Sequence, residues 1–431
     1  MANSAIIELS LYLLRMEVFL FSIYLLLFSW CITQIRFFRN SGLSRFQLVA
    51  LFLLKVGMGI AYGWINWYSD LGPGKTDTWT LHAESLKETK ILLTSPVSYI
   101  TSFFYNPYTN SFGSFFASSA SYWNNLKNES YIRIESVFNC FSFGSYFINI
   151  IFYVFLTYFG VVALYRVMRR HLEGNSLLLI IACFLAPSFL YWTSGLHKDG
   201  LTFLALGTVI YIIYFRKTAS KPVAGYLLLS AALLLLFVLR NHVLLVLLPA
   251  LVCWILARRF PLHRAGLFAG IYGLAILFFF TAKYLHPSLD FPAIVASKQE
   301  AFLHIEGGSS TVPVHRLRPD ITGFVQQLPQ SAGLVLFRPL ASDVKKAIIF
   351  PAFLEVVLVW ICILLFFLFP KRKPAFRPFS LFLLAFTMSV ALMIGYTVNN
   401  LGAIVRYRSI LFPLLLPPVL MGICWKQLFK K

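Results

Sequence analysis

The residues of this chain that can do chemistry stand at the ends of apolar runs. Asp77 follows the turn Leu71-Gly72-Pro73-Gly74 and opens an amphipathic stretch at 78–92. A carboxylate there can act as general base toward a hydroxyl, help to bind a divalent cation, or cap the helix that follows. His82 and Glu84 come soon after. Lys198 stands in Trp192-Thr193-Ser194-Gly195-Leu196-His197-Lys198-Asp199-Gly200, between a run broken by Pro187 and a new run starting at Leu201. Its ammonium can meet an anionic phosphate, while Asp199 can cap the next helix. Arg240, Asn241 and His242 separate two apolar runs, where a charged group needs water or a partner. The planar guanidinium fork of Arg240 matches phosphate. Arg406 and Arg408 close the segment 399–408, and Arg338 precedes Pro339-Leu340. Each has a plainer alternative: a cap, a snorkelling lysine, or an arginine that ends a helix. His304, Glu306, His315 and Asp320 are weaker candidates, since polar loop residues usually face water.

The elements that must hold these groups are membrane helices. Of 431 residues, 59% are hydrophobic and only 12% charged, against about a quarter charged in a soluble domain. Runs such as 225–239 and 243–257 fit only lipid or the interior of a large bundle. Apolar spans are predicted at about 12–34, 46–67, 144–165, 177–194, 201–215, 225–239, 243–257, 265–285, 350–369, 378–397 and 409–425. The fold class is thus an all-α polytopic transmembrane bundle, one integral membrane domain over 1–431. Two long extracytoplasmic loops, about 69–143 and 286–349, carry interfacial helices. The first continues from the helix at 78–92 into an aromatic interfacial stretch, 95–135. The second holds a flexible hinge, Gly307-Gly308-Ser309-Ser310, and a helix near 321–338.

Charge gives the threading. The net charge is +21, but the cations are spread over short membrane-flanking clusters, which excludes nucleic acid as a partner and favours anionic lipid headgroups. These clusters include Arg166, Arg169 and Arg170; Arg216, Lys217 and Lys221; Arg258, Arg259 and Arg264; Lys371, Arg372, Lys373 and Arg377; and Lys426, Lys430 and Lys431. Only Glu173 intrudes on them. Short basic loops stay cytoplasmic, so 225–239 and 243–257, flanked by Lys221 and Arg258, read as a hairpin with Arg240-Asn241-His242 at its outer tip. The N-terminus is then outside and the C-terminus cytoplasmic. Glu8, Arg15 and Glu17 interrupt the first apolar region, which is unlike a cleaved signal peptide. Six cysteines show no disulfide framework or metal-ligand spacing. No ligand motif assigns a metal, and the cofactor, a divalent cation included, stays open. No Walker loop supports an ATP-driven pump. Glu17 and Glu355 are the only intramembrane acids, which weighs against a proton-coupled carrier; Glu355 can instead offset the charge of Arg406 and Arg408.

An acid in the first large outer loop before an amphipathic helix, many apolar helices and outer-face arginines resemble the membrane glycosyltransferases of the GT-C class. The segments 187–199 and Leu336-Phe337-Arg338-Pro339 also resemble bacterial envelope proteins associated with polysaccharide assembly, and the polymerases and ligases of those pathways are an equally natural comparison. The resemblance implies a polyprenyl-(pyro)phosphate-linked sugar donor, a glycan or lipid acceptor, the bacterial inner membrane, and Asp77 as the catalytic acid of the first outer loop. The paired acidic motif of that class is absent, because Thr78 and Trp79 follow Asp77. Lys198, Arg240, His242, Arg338, Arg406 and Arg408 are expected to bind the substrate. The alternatives are a lipid-linked glycan transporter of flippase type and a non-catalytic envelope-assembly protein.

Overall fold

The computed structural model describes residues 2–69, 72–105, 121–172, 174–215, 222–260, 263–304, 310–371 and 377–428. Leu71, Glu173, Arg216, Lys217, Lys221, Glu306, Gly307, Gly308, Ser309, Arg372, Lys373, Lys430 and Lys431 lie outside these residues, as do the side chains of Glu8 and Arg15. Within them the chain is helical, with short turns and two isolated bridges and no strand.

The first helices are α1 (Ala2–Gln34), α2 (Arg36–Arg39) and α3 (Arg45–Trp67). The first long hydrophilic region holds α4 (Asp77–Thr94), α5 (Pro96–Ser102) and α6 (Tyr122–Ser142). Next come α7 (Tyr146–His171), α8 (Ser176–Phe184), α9 (Pro187–Ser194), α10 (Lys198–Phe215), α11 (Pro222–Arg259) and α12 (Arg264–Thr281). The second hydrophilic region holds α13 (Phe291–Leu303) and α14 (Ile321–Phe337), and the chain finishes with α15 (Phe350–Leu368), α16 (Pro378–Thr397), α17 (Leu401–Ser409), α18 (Phe412–Gly422) and α19 (Trp425–Leu428). Helix starts follow cap chemistry. Ser44 and Gln47 form a reciprocal capping box at α3. Asn175, Asp320 and Asn400 accept from the amides of Leu177, Gly323 and Ala403 at 2.8, 2.6 and 3.1 Å.

Among the described residues, eight helices are long and apolar enough to cross a membrane, ten spans if each of two bent pairs is counted as one. This makes the chain an all-helical integral membrane protein. Two of the eleven expected spans fall within one candidate span, Val223–Arg259. The two runs predicted on either side of Arg240-Asn241-His242 are two helices meeting at a kink, labelled together α11, where Arg240 leaves helical geometry (φ −149, ψ 66). Asn241 and His242 are helical, so the break is narrowed to Arg240. The predicted span 177–194 is likewise two helices, α8 and α9, bent by 53°. Pro187 has no N–H for the carbonyl of Cys183, which stops the first. The segment 399–408, expected as a loop, is mostly helix α17, bent by 65° from α18, with Pro413 denying a bond to Ser409. The stretch at 95–135 contains α5 and most of α6, and α13 is a helix that the sequence reading did not anticipate.

The helices sort into two compact units, each discontinuous in sequence. The first gathers Met1–Pro107, Asn125–Val167 and Leu190–Leu239; the second gathers Tyr108–Asn124, Met168–Phe189 and Arg240–Lys431. The boundary thus falls on the break in α11. In the first unit α7 is central: Ile150, Val154, Tyr158, Val161 and Tyr165 are all buried, as expected of a helix that is apolar all round. It packs closely on α10, where a Cβ on Gly207 would come within 2.3 Å of the Gly160 carbonyl oxygen. In the second unit Trp254 stacks on Phe382 at 4.8 Å, Gly395 lets α16 meet the Ser331 backbone of α14, and Ala182, Leu420 and Ile423 join α8 to the end of α18. Large apolar residues face outward, including Leu26 (71% exposed) and Phe367 (73% exposed), a surface that belongs in lipid rather than water.

The Gly160–Gly207 contact has a direct consequence. Gly207→Ala should destabilise the protein by about 1–3 kcal/mol, the usual cost of overpacking. Gly270→Ala, where a Cβ meets nothing within 4 Å, should be neutral or stabilising. Thermal unfolding of both variants in the same detergent checks the contrast, and equal melting temperatures would refute the close packing.

Candidate functional site

In the first unit the polar elbow between α9 and α10 is built into the bundle rather than exposed. Gly195 packs on the ring of Tyr62, and a Cβ on Gly59 would meet the Ser194 carbonyl oxygen at 2.7 Å, so the elbow lies directly on α3. Lys55, buried on α3, donates to Thr193 Oγ1 and Ser194 Oγ, both at 3.0 Å. The Tyr153 hydroxyl donates to the His197 carbonyl. From the other side, Thr78 Oγ1 donates to the Leu196 carbonyl at 2.8 Å and shares a second bond of 2.8 Å with the Tyr146 hydroxyl. Trp79 stacks on Tyr146 with centroids 3.8 Å apart. The first turn of α4 is therefore fastened to the elbow.

That fastening brings Asp77 to His197. Asp77 Oδ2 lies 3.9 Å from His197 Nε2; the Asp77 side chain is 80% exposed and that of His197 2%. His197 Nδ1 accepts the Lys198 amide at 2.8 Å. That contact favours the tautomer with the ring hydrogen on Nε2, the nitrogen that faces Asp77. Asp199 Oδ2 stands 3.4 Å from Nδ1 on the buried side, and the Tyr131 ring lies against the imidazole with centroids 6.3 Å apart. Lys198 Nζ bonds Asn128 Oδ1 on α6 at 2.5 Å. An exposed carboxylate, an imidazole N–H and an ammonium thus come from α4, the elbow and the start of α10. Two cap assignments are corrected. Thr76, not Asp77, holds the N-cap position of α4, and Asp199 is the second residue of α10. Both acids sit in first turns, where the helix dipole favours negative charge.

Helices α4 and α6 carry a buried polar seam behind this group. His82 Nδ1 meets Glu135 Oε1 at 2.7 Å. Asn139 Nδ2 donates to Ser85 Oγ and Thr89 Oγ1, and Asn149 donates to Asn139 Oδ1. Beside Asn128, burial raises the pKa of Glu129 above the ordinary carboxylate value of 4.5, and repulsion from Glu88 raises it further. Burial, reinforced by the Glu135 carboxylate, pushes the Tyr131 phenol well above its usual range, so it stays protonated.

In the second unit the predicted cations divide by environment. Arg240, at the α11 break, lies over the ring of Tyr407 at 4.4 Å, and Arg406 is 5.9 Å from the same ring. His242 is partly buried within the helical turn after the break. Arg338 is ion-paired, its Nη1 2.6 Å from Asp343 Oδ1. Arg408 is buried, and its Nη1 donates to the carbonyls of Val335 and Arg338 at 2.6 and 2.7 Å. The weaker candidates have ordinary roles. Asp320 caps α14, and the Thr322 hydroxyl, with the Gly323 amide, holds its carboxyl below the usual range. His304 and Arg316 share Glu300 at the surface, where ion pairs contribute little.

Residues missed by the site reading are His197, Lys55, Tyr131 and Tyr153. His197 stood beside Lys198 in the elbow sequence, and Lys55 was a lone charge inside an apolar span, which is itself a signal. The two tyrosines had no signal among so many aromatics. Among the described residues, no group of three or more His, Cys, Asp or Glu could hold a metal ion. Compared with protein-family models, characterised proteins and solved structures, the chain has no match. The class that its fold defines is therefore the integral membrane protein, and its activity must be argued from the sites themselves.

The raised Glu129 carboxyl yields a pH prediction. Its folded form holds a proton more tightly than the unfolded chain does, so this contribution to stability is complete below the ordinary value of 4.5 and is lost as pH rises through the folded value. Glu129→Gln should accordingly raise the melting temperature at neutral pH and lose that advantage near pH ~4. A gain of equal size at both pH values would remove titration as its cause.

Proposed function

We propose that this protein is a membrane glycosyltransferase or polysaccharide polymerase. Its donor is a polyprenyl-(pyro)phosphate-linked sugar, and it works at the extracytoplasmic face of a bacterial inner membrane. The observation that carries the reading is the grouping of Asp77, His197 and Lys198 in the first unit. Asp77, exposed and adjacent to an imidazole N–H, takes the proton of an acceptor hydroxyl. The acceptor oxygen then bonds to the anomeric carbon, the bond from that carbon to the phosphate oxygen breaks, and the electron pair leaves on the phosphate. A cation aimed at that oxygen stabilises the developing charge, the role of Lys198. In the second unit Arg240 and Arg406, gathered at Tyr407, offer a guanidinium pair suited to a phosphate or pyrophosphate.

The orientation proposed with this reading is N-terminus outside and C-terminus cytoplasmic, from the basic clusters that flank the spans. The transporter alternative is favoured by the buried charges Lys55, Glu355 and Arg408 within candidate spans. Each of them, however, already bonds a helix end or a hydroxyl of its own unit, which is a structural task and not a path.

The test uses purified protein in proteoliposomes with a short-chain lipid-phosphate-linked sugar and a glycan acceptor. Asp77→Asn should lower transfer by about 100-fold or more, the contribution of a general base, at normal protein level. Arg240→Ala and Arg406→Ala should abolish product. Wild-type movement of the lipid across acceptor-free liposomes, together with no transfer product from the wild type, would replace this reading by the transporter, and full product from Asp77→Asn would remove Asp77 as the base.

A further inference from the structure

Two intramembrane charges of the second unit are each only half used. Glu355, on α15, accepts the Ser188 amide on Oε1 at 2.9 Å, satisfying one of the N–H groups that the start of α9 leaves open. Arg408, on α17, bonds the end of α14 through Nη1 alone. Glu355 Oε2, Arg408 Nε and Arg408 Nη2 are buried with no hydrogen-bond partner among the described residues. Glu355 is 3% exposed and Arg408 5%. The two charges act on each other electrostatically. Ser188 Oγ lies near the same carboxylate but outside hydrogen-bonding geometry.

Buried charged atoms are expensive to leave unmatched, and such orphans in a native protein call for a ligand or an ordered water. The chemistry of these three selects the ligand. They comprise one carboxylate acceptor and one guanidinium edge, with no net charge. A phosphate would satisfy Arg408 while facing Glu355 at close range. A neutral group with a donor and an acceptor on adjacent atoms satisfies both. Vicinal sugar hydroxyls have that arrangement: one O–H donates to Oε2, and a neighbouring oxygen accepts from Nε and Nη2.

We infer that Glu355 and Arg408 form a sugar-hydroxyl subsite, bordered by Ser188, which reads the carbohydrate of the bound lipid. This rests on the lipid-linked donor reading and changes one part of it. Arg408 recognises sugar, and Arg240 and Arg406 are left to the phosphate.

The experiment compares two probes, dodecyl phosphate and a dodecyl-phosphate-linked hexose, by calorimetric titration of the full chain in lipid nanodiscs. Glu355→Gln and Arg408→Lys keep an acceptor for Ser188 and a donor for the end of α14, so both should fold, as melting curves verify. Each should weaken the hexose-bearing probe about tenfold or more and leave dodecyl phosphate within about twofold. Should either variant unfold, Ser188→Ala, which leaves the Ser188 amide bond intact, should still weaken the hexose-bearing probe selectively. Equal loss for both probes, or no loss, means that the three atoms hold only water and overturns the subsite while sparing the donor reading. Wild-type protein that binds neither probe overturns the donor reading and the subsite with it.

Discussion

A helix that stops inside an apolar bundle leaves amides or carbonyls with no water to bond, and every other feature of this fold answers to that constraint. The chain has such stops at Pro187, at the elbow after Ser194 and at the end of α14. Each stop is met by a polar or charged side chain from another segment. Glu355 bonds the amide at the start of α9, Arg408 bonds the carbonyls at the end of α14, and Tyr153 bonds the carbonyl of His197. Charge at these places has a physical reason before it has a chemical one: each side chain carries the sign that the helix end favours. Removing one would leave both a buried charge partner and a backbone group unmatched, a more costly loss than that of a neutral bond.

The same constraint creates the first-unit site. The elbow must satisfy its own carbonyls, so Thr78 reaches from α4 to Leu196 while Lys55 holds Thr193 and Ser194 from α3. Fastening α4 at Thr78 places the preceding residue, Asp77, beside His197 as a geometric consequence. The imidazole is then oriented from two sides, by the Lys198 amide on Nδ1 and by Tyr131 against its face. A buried, oriented ring beside an exposed carboxylate is pre-organisation, with both groups already in place.

Much of the architecture was legible in the sequence because lipid imposes long apolar runs, and eight helices of that kind stand where runs were expected. What escaped was the helix breaks. Pro187 announced its bend, yet the run around it was still read as one span, because apolarity continues straight through. At Arg240-Asn241-His242 the chain does break between two helices, but the break is narrower than three polar residues suggest, since Arg240 alone has non-helical φ and ψ. At the site, Asp77 and Lys198 were visible from type and position. Their connection through His197 was not, since it depends on a hydroxyl bond between residues 118 positions apart. Helices α6 and α13 were missed for the opposite reason: they are polar enough to read as loop, and tertiary packing rather than periodicity decides them.

The expected outer-face cations also separate on physical grounds. Arg338 is neutralised by Asp343, and Arg408 is committed on one side to the end of α14. Arg240 and Arg406 both lie over the ring of Tyr407. A guanidinium held against an aromatic ring gains about 0.5–2 kcal/mol there, and it does so through its flat face. Its N–H groups lie in the plane of the fork and remain oriented for in-plane acceptors. Tyr407 can thus steer two cations without neutralising either, which a carboxylate at the same place could not do.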